Sequence, residues 1–210
     1  MAVYIPEIYR ITGRVCQFIA IWFFLKPFYC IFYRVKVIGR ENLPKDKKLC
    51  IVMPNHLSNN DPPLLSATLN IPIAWMAKEE LFKVPILGWL ITILATFSVN
   101  REKLEKTTIK AAKEIVAKNW NLGIFLEGTR SKIPGQLGKP NAGPAYISNL
   151  TGVPVLPVGI DGSNKLFGAI TVKIGKPFYP GKDLEKARWQ CAEKLSELTG
   201  LKVPDKELVK

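Results

Sequence analysis

The sequence predicts an α/β fold, and three observations lead to that class. Short apolar runs that end in Pro, Asn or Gly alternate with segments of helical periodicity. The chain has 210 residues, enough to bury a sizeable core without a disulfide or a metal. Hydrophobic residues make up 48% of the chain and charged residues 22%, a composition that excludes disorder as the main state.

The first predicted element is an apolar segment in two parts, residues 15–25 and 27–33. Pro27 separates the parts and would end or kink a helix near Lys26, so we expect two short helices. The first part has eleven residues, whereas a bilayer-spanning helix needs roughly 20. Its aromatic body favours helices that lie in a membrane interface, with a buried core pair and a spanning helix as alternatives. Cations flank the segment at Arg10, Arg14, Arg34 and Lys36.

The remaining elements alternate along the chain. Strands are predicted over 49–53, 71–76, 91–99, 124–126, 153–160 and 170–174. Helices are predicted over 62–69, 102–119, 141–150 and 183–198. Asp61 resembles an N-cap before two prolines, and Gly152 resembles a helix C-terminal glycine. The composition changes near residue 36, so we expect membrane-associated helices over 1–36 and one domain over 37–210.

Charge and cysteine content limit the possible partners. The formal charge of +13 points to a polyanion, which could be nucleic acid, an anionic membrane surface or a phosphorylated substrate. The cations are scattered and no RNA-recognition motif is present, so nucleic acid is not the expected partner. Four cysteines without a C-x-x-C pair, and a single histidine, argue against a zinc site and for a reducing, cytoplasmic environment.

The single histidine, His56, lies just after a predicted strand and five residues before Asp61. On a regular helix this spacing would turn the two side chains roughly 140° apart. They can meet only if residues 56–60 form a turn, which the Ser, Asn and Pro content predicts. An Asp held against one imidazole nitrogen would fix the tautomer and leave the other nitrogen as a base. No side-chain nucleophile is evident nearby, so we expect the nucleophile to be a substrate hydroxyl.

A second candidate segment, residues 125–131, also follows a predicted strand. Ligands bind beyond the carboxyl ends of strands in open α/β sheets, where both segments are expected. Gly128 lets the backbone approach a ligand, and Arg130 offers a fork of donors suited to phosphate.

Together these segments resemble the glycerolipid acyltransferases of the 1-acylglycerol-3-phosphate (lysophosphatidate) acyltransferase type. His56 and Asp61 match the family's H-x4-D motif, and residues 125–131 match F-x-E-G-T-R-S. Residues 153–158, VPVLPV, match the fourth motif. Residues 98–101, SVNR, match the second motif in part, because Ser and Asn replace the usual Phe and Asp while Arg101 is retained. Residues 78–81, KEEL, resemble a K-x-E-L element.

The resemblance implies one mixed-sheet domain flanked by helices, preceded by membrane-embedded N-terminal helices. It also implies that His56 is the general base that Asp61 orients, and that the acceptor hydroxyl attacks the acyl thioester without an acyl-enzyme. Acceptor binding would involve Lys78, Arg101, Glu127, Gly128, Thr129 and Arg130. An acyl-chain surface would involve Val153, Pro154, Val155, Leu156, Pro157 and Val158.

The implied reaction transfers a fatty acyl group to the sn-2 hydroxyl of 1-acylglycerol 3-phosphate and forms phosphatidic acid. The expected partners are a lysophospholipid acceptor, acyl-CoA or acyl-carrier protein as donor, and the cytoplasmic face of the cell membrane. No metal or bound cofactor is implied. Two alternatives remain: an acyltransferase of the same superfamily that acts on glycerol 3-phosphate or another lysolipid, and a basic, non-enzymatic protein that binds membranes or nucleic acid.

Overall fold

Seven strands form one mixed sheet at the centre of the fold, in the order β1-β7-β6-β2-β5-β3-β4. The computed structural model describes residues 11–45, 48–99, 106–131 and 133–206. The strands are β1 Arg34–Ile38, β2 Ile51–Pro54, β3 Ile73–Lys78, β4 Phe97–Val99, β5 Asn121–Gly123, β6 Val155–Asp161 and β7 Ala169–Ile174. The α/β class and the mixed sheet are therefore confirmed.

Strand direction determines which loops meet. Strands β2 to β6 are parallel to one another, whereas β7 pairs antiparallel with β6 and β1 pairs parallel with β7. The carboxyl ends of five strands therefore share one side of the sheet, which we call the carboxyl edge. Asn55 ties two of these strands together at that edge, because its side chain donates to Ile160 O at 2.9 Å and accepts from Ile160 N at 2.7 Å.

Helices cover both faces of the sheet. They are α1 Ile11–Ile19, α2 Lys26–Phe32, α3 Asp61–Leu69, α4 Glu79–Phe82, α5 Pro85–Ile93, α6 Lys106–Ala117, α7 Gly143–Thr151 and α8 Leu184–Thr199. Side chains of β2 alternate between two buried clusters, as a strand covered on both faces requires. Ile51 and Met53 pack with α6, α7 and α8, while Val52 packs with α2 and α3.

The two expected helices are present, and they follow one another without a gap. A π-helical turn, Ala20–Leu25, joins α1 to α2, and both Leu25 and Lys26 have right-handed helical dihedrals. Proline clashes with the carbonyl one turn earlier in a regular α-helix, and the wider π turn before Pro27 relieves that clash. The resulting helix is long and apolar enough over Gly13–Phe32 to cross a membrane, by length and composition alone. The length of the helix therefore does not exclude a spanning position.

The predicted strand over 91–99 is half wrong. Its first residues belong to α5, and only Phe97–Val99 form a strand. Periodicity cannot separate a short apolar strand from a short apolar helix. Pro85 at the first helical position and the close packing of Gly88 favour the helix, since a Cβ on Gly88 would lie 2.3 Å from Phe82 O.

Strands β5 and β1 also differ from the predictions. Strand β5 ends at Gly123 rather than running over 124–126, although Ile124 N and Leu126 N still donate to carbonyls of β2. Strand β1 was not predicted, and the expected domain boundary between residues 36 and 37 falls inside it. The apolar helix therefore leads directly into the sheet.

Candidate active site at the carboxyl edge

Candidate site residues lie at the carboxyl ends of four of the parallel strands. His56 comes two residues after β2, and Lys78 is the last residue of β3. Glu127 follows β5, and Ser163 comes two residues after β6. Because the strands are parallel and adjacent, residues far apart in sequence converge at this edge.

His56 and Asp61 are in direct contact. Asp61 Oδ2 lies 2.8 Å from His56 Nδ1, and both side chains are buried. The same oxygen accepts hydrogen bonds from the backbone N–H groups of Leu57 and Ser58, each at 2.8 Å. A carboxylate that accepts at Nδ1 holds the proton there and leaves Nε2 free to accept another. The predicted turn and the predicted contact between His56 and Asp61 are both present.

Asp61 does not cap α3 in the way the sequence predicted. Asn60 precedes the helix and Asp61 is its first residue. The carboxylate of Asp61 turns back toward His56 and the preceding loop, instead of accepting from the next helical N–H groups. Asn60 itself accepts a hydrogen bond from the Tyr29 hydroxyl at 2.5 Å, which connects α2 to this loop.

An aromatic stack supports the imidazole. The rings of His56 and Phe125 stack with centroids 4.0 Å apart, and Phe125 stacks on Trp75 at 5.4 Å. Trp75 is fixed by a hydrogen bond from its indole N–H to Ser66 Oγ at 2.8 Å. A Cβ on Gly123 would lie 2.2 Å from the Trp75 ring, so only glycine at that position leaves room for the stack.

Glu127, a residue expected to shape the acceptor pocket, forms hydrogen bonds to the protein backbone. Its buried carboxylate accepts from His56 N at 3.3 Å and from Gly138 N at 2.8 Å. Burial raises the pKa of Glu127, while the two backbone N–H groups oppose that shift. The carboxylate of Glu127 therefore holds the backbone of His56 in place by hydrogen bonding, and it does not face a ligand in this structure.

The remaining polar candidates are open to solvent at the carboxyl edge. Lys78, Thr129 and Arg130 are exposed, and Gly128 has a left-handed φ of +64° that turns the chain. Ser131 N donates to His56 O at 3.3 Å, which places the backbone next to Arg130 against the histidine loop. Arg101 lies outside the described residues.

The predicted acyl-chain segment is part of the core. Its residues lie before and along β6, and all but Pro154 are buried: Val153, Val155, Leu156, Pro157 and Val158. Val153 and Val155 pack in one core cluster, while Leu156 and Val158 pack in the other. These side chains are already covered by the protein, so they do not form an open apolar surface in this structure.

Ser163 is a site residue that the sequence reasoning missed. Its hydroxyl donates to Asp61 Oδ1 at 2.5 Å, so both carboxylate oxygens of Asp61 are engaged. The two residues are 102 positions apart, and no local spacing reveals the contact. Gly162, just after the predicted strand, could have indicated a sharp turn here, because glycine readily adopts the left-handed φ that such a turn requires. Its φ in the structure is +83°.

We expect Ser163→Ala to lower turnover roughly tenfold while the acceptor KM changes little, since a hydrogen bond to a charged group is worth about 1.5–3 kcal/mol. The reason is that Asp61 without this donor is held less firmly against His56. Steady-state kinetics at varied acceptor concentration measures turnover and the acceptor KM. Ser148→Ala removes an equally buried hydroxyl that donates to Val153 O, and it should change only thermal stability. Equal turnover for the two variants would contradict this role for Ser163.

The cysteines near the fold's centre are poor nucleophiles. Burial raises the pKa of Cys50 to about 12 and that of Cys191 to about 12, which keeps both as thiols. The hydroxyl of Ser131 donates to Gln136 O at 2.7 Å, away from the imidazole. Among the described residues, no group of three or more His, Cys, Asp or Glu side chains could hold a metal ion.

Comparison with known proteins gives a consistent result. Residues 34–161 match the model of a family described as Acyltransferase. The chain is 32% identical over 180 residues to a chloroplastic 1-acyl-sn-glycerol-3-phosphate acyltransferase of Brassica napus, covering 79% of this chain and 52% of the relative. It is also 32% identical over 151 residues to the Pseudomonas aeruginosa 1-acyl-sn-glycerol-3-phosphate acyltransferase, covering 70% of this chain and 55% of the relative.

A solved structure has a similar fold over nearly its whole length. The 1-acyl-sn-glycerophosphate acyltransferase of Thermotoga maritima superposes with a TM-score of 0.68 at 25% identity, covering 93% of this chain and 95% of that one. The chain spans about half the length of the first curated relatives that it matches.

Proposed function

The chain belongs to the acyltransferase family, and from this premise we propose that it transfers a fatty acyl group to the sn-2 hydroxyl of 1-acylglycerol 3-phosphate, forming phosphatidic acid. The observation that carries the proposal is the buried His56–Asp61 pair at 2.8 Å, at the carboxyl edge of the sheet. The relatives are named for transfer to this acceptor, which supports the choice. The donor is an acyl thioester, of CoA or of acyl-carrier protein.

The mechanism is direct transfer. Asp61 keeps the proton of His56 on Nδ1, so Nε2 takes the proton of the acceptor hydroxyl as its oxygen attacks the thioester carbonyl. The C–S bond breaks as the tetrahedral intermediate collapses, and the imidazolium returns its proton to the leaving thiolate. The products are an ester and a free thiol. The raised pKa of Cys50 and the engaged hydroxyls of Ser131 and Ser163 support a route without an acyl-enzyme. This route uses no metal or bound cofactor.

The acceptor assay tests this proposal. Purified protein receives one acyl-CoA and, in separate reactions, lysophosphatidate, glycerol 3-phosphate or a lysophospholipid with a substituted phosphate. The proposal predicts the highest kcat/KM with lysophosphatidate. A higher value with glycerol 3-phosphate or with the substituted lysolipid would instead assign the chain to another acceptor within the family.

We propose that Arg130 binds the acceptor phosphate, helped by Lys78 and Arg101. Arg130→Ala should raise the acceptor KM by roughly ten- to a hundred-fold, because that is the loss of affinity expected when a charge-assisted hydrogen bond is removed. Arg130→Lys should remain impaired because it keeps the charge but loses the planar fork. Initial rates at varied acceptor and donor concentrations measure the effect. The control is Lys110→Ala, which removes a surface cation on α6 whose side chain is 80% exposed. It should leave both KM values unchanged. A raised donor KM with an unchanged acceptor KM would move Arg130 to the donor site.

We propose that the protein lies at the cytoplasmic face of the cell membrane, held by the helix from α1 to α2. Large apolar side chains on this helix are exposed, among them Phe18, Trp22, Phe23, Phe24 and Ile31. An anionic surface would also attract the net charge of +13. The Tyr29–Asn60 hydrogen bond supports a site near the bilayer, because it joins this helix to the His56 loop.

A further inference from the structure

Helix α5 carries a second apolar surface, outside the N-terminal helix. Ile86 is 82% exposed and Trp89 is 67% exposed. The segment from Val84 to Ile93 contains no charged residue. We call the exposed side chains of this region the α5 patch: Leu81, Val84, Ile86, Leu87, Trp89 and Leu90. A contiguous patch of this kind marks a site of interaction with a protein, a ligand or a membrane.

We propose that the α5 patch inserts into the same membrane leaflet as the N-terminal helix, so that two separate elements seat the carboxyl edge on the bilayer. This inference rests on the proposed function, which requires an acceptor held in a membrane. With nine residues, α5 is far shorter than the roughly 20 needed to span, so it can enter only the interface.

The patch is continuous with the N-terminal helix. The buried side chain of Gln17 donates to Leu94 O at 3.1 Å and to Ile73 O at 2.9 Å, which fixes α1 against the end of α5 and the start of β3. Phe18 and Trp22 are exposed on the helix that contains Gln17. The two elements are therefore in contact and each carries exposed aromatic side chains, so a bilayer that receives one of them lies close to the other.

The position of α5 relative to the active site also favours a bilayer over a second protein molecule. Strand β3 ends at Lys78 on the carboxyl edge, and α4 and α5 follow directly. Trp75 of β3 belongs to the ring stack that supports His56. Because α4 and α5 follow β3 at the carboxyl edge, insertion of α5 brings this edge and His56 toward the membrane. A lysolipid acceptor resides in that membrane. Lys83, just after α4, lies 4.0 Å from Glu79, and its side chain is 71% exposed, so its ammonium group can also face anionic headgroups.

The first test measures the environment of Trp89 in the full-length protein. Trp89→Phe removes one indole, so the emission difference between wild type and this variant reports residue 89 alone. The protein is mixed with vesicles of phosphatidylcholine and phosphatidylglycerol, with and without bromine on the acyl chains. We expect the difference emission to shift to shorter wavelength and to be quenched by the brominated chains. Unquenched emission from fully membrane-bound protein would overturn the proposal.

The second test uses activity and a matched control. Ile86→Ser combined with Trp89→Ser should lower the rate with bilayer-embedded lysophosphatidate about tenfold or more, because burial of one such side chain alone is worth that factor. The rate with a short-chain, water-soluble acceptor should stay near the wild-type value. The control variant is Tyr179→Ser, which removes an aromatic side chain that is 66% exposed and far from α5 in the sequence. Its neighbour Phe178 pairs with the first residue of β6, so Tyr179 lies at the edge of the sheet opposite the carboxyl edge. The control variant should change neither rate.

Three other outcomes would be informative. Equal losses with both acceptors would overturn a docking role for the patch. A wild-type dimer that the double variant abolishes, seen by sedimentation without lipid, would assign the patch to a second copy of the chain and overturn the proposal. If the wild-type protein acylated neither acceptor, the proposed function would fail, while the Trp89 quenching result would still decide whether α5 inserts.

Discussion

Replacing His56 with Ala should lower turnover by at least the 10²–10⁴-fold that is typical for loss of a general base. The structure gives the reason, because His56 is the one histidine in the chain and Asp61 holds its Nδ1 at 2.8 Å. The acceptor KM should change much less, since we propose that the phosphate is bound by other residues, Arg130 above all. Steady-state kinetics with lysophosphatidate and one acyl-CoA measures both constants.

The folded state of this variant must be checked, because the imidazole stacks on Phe125. Thermal unfolding followed by circular dichroism should show one cooperative transition close to that of the wild type. If a well-folded His56→Ala protein kept more than about a tenth of wild-type turnover, the loss would fall short of general-base catalysis and the assignment would be wrong.

Asp61→Asn should produce the second large loss, roughly 10⁴-fold in turnover, as expected when the orienting carboxylate of a base becomes an amide. An amide NH₂ facing Nδ1 would favour the tautomer that carries its proton on Nε2, where the base must be unprotonated. An amide also stabilises the imidazolium less than a carboxylate does. The matched control is Asp161→Asn, an exposed carboxylate at the end of β6 on the same edge, which should keep near wild-type turnover.

A double-mutant cycle distinguishes orientation from mere structural support. If Asp61 acts through His56, the combined variant should be no slower than His56→Ala alone, because groups that act as a unit are non-additive. Asp61 also accepts from the N–H groups of Leu57 and Ser58, so some loss of thermal stability is expected as well. Additive losses in turnover would show that Asp61 contributes separately from the base.

Much of the fold could be predicted from sequence, because the alternation of buried strands with amphipathic helices is a local signal. The errors arose where local signals conflict with tertiary packing. The apolar stretch containing α5 has the composition of a strand, and its helical form is favoured by Pro85 at the first position and by the close packing of Gly88 against Phe82. Pro27 normally ends a helix, but the preceding π turn allows the helix to continue.

The site could be predicted in part, for a similar reason. The contact between His56 and Asp61 follows from a short turn, which sequence composition indicates. The contacts of Glu127 with His56 N and of Ser163 with Asp61 join loops that are 71 and 102 residues apart, and only the sheet order brings them together. Motif matching placed Glu127 near the site but could not show that its carboxylate faces the backbone.

The most direct test of the account is to identify the product. Purified protein is incubated with vesicles that contain 1-acylglycerol 3-phosphate and with an acyl thioester whose chain carries a stable-isotope label, and the lipids are analysed by mass spectrometry. The account predicts phosphatidic acid labelled at the sn-2 position, with free thiol released in equal amount and no labelled protein when the acceptor is omitted. Labelled protein that passes its acyl group to added acceptor, or a product other than sn-2-acylated phosphatidic acid, would contradict it.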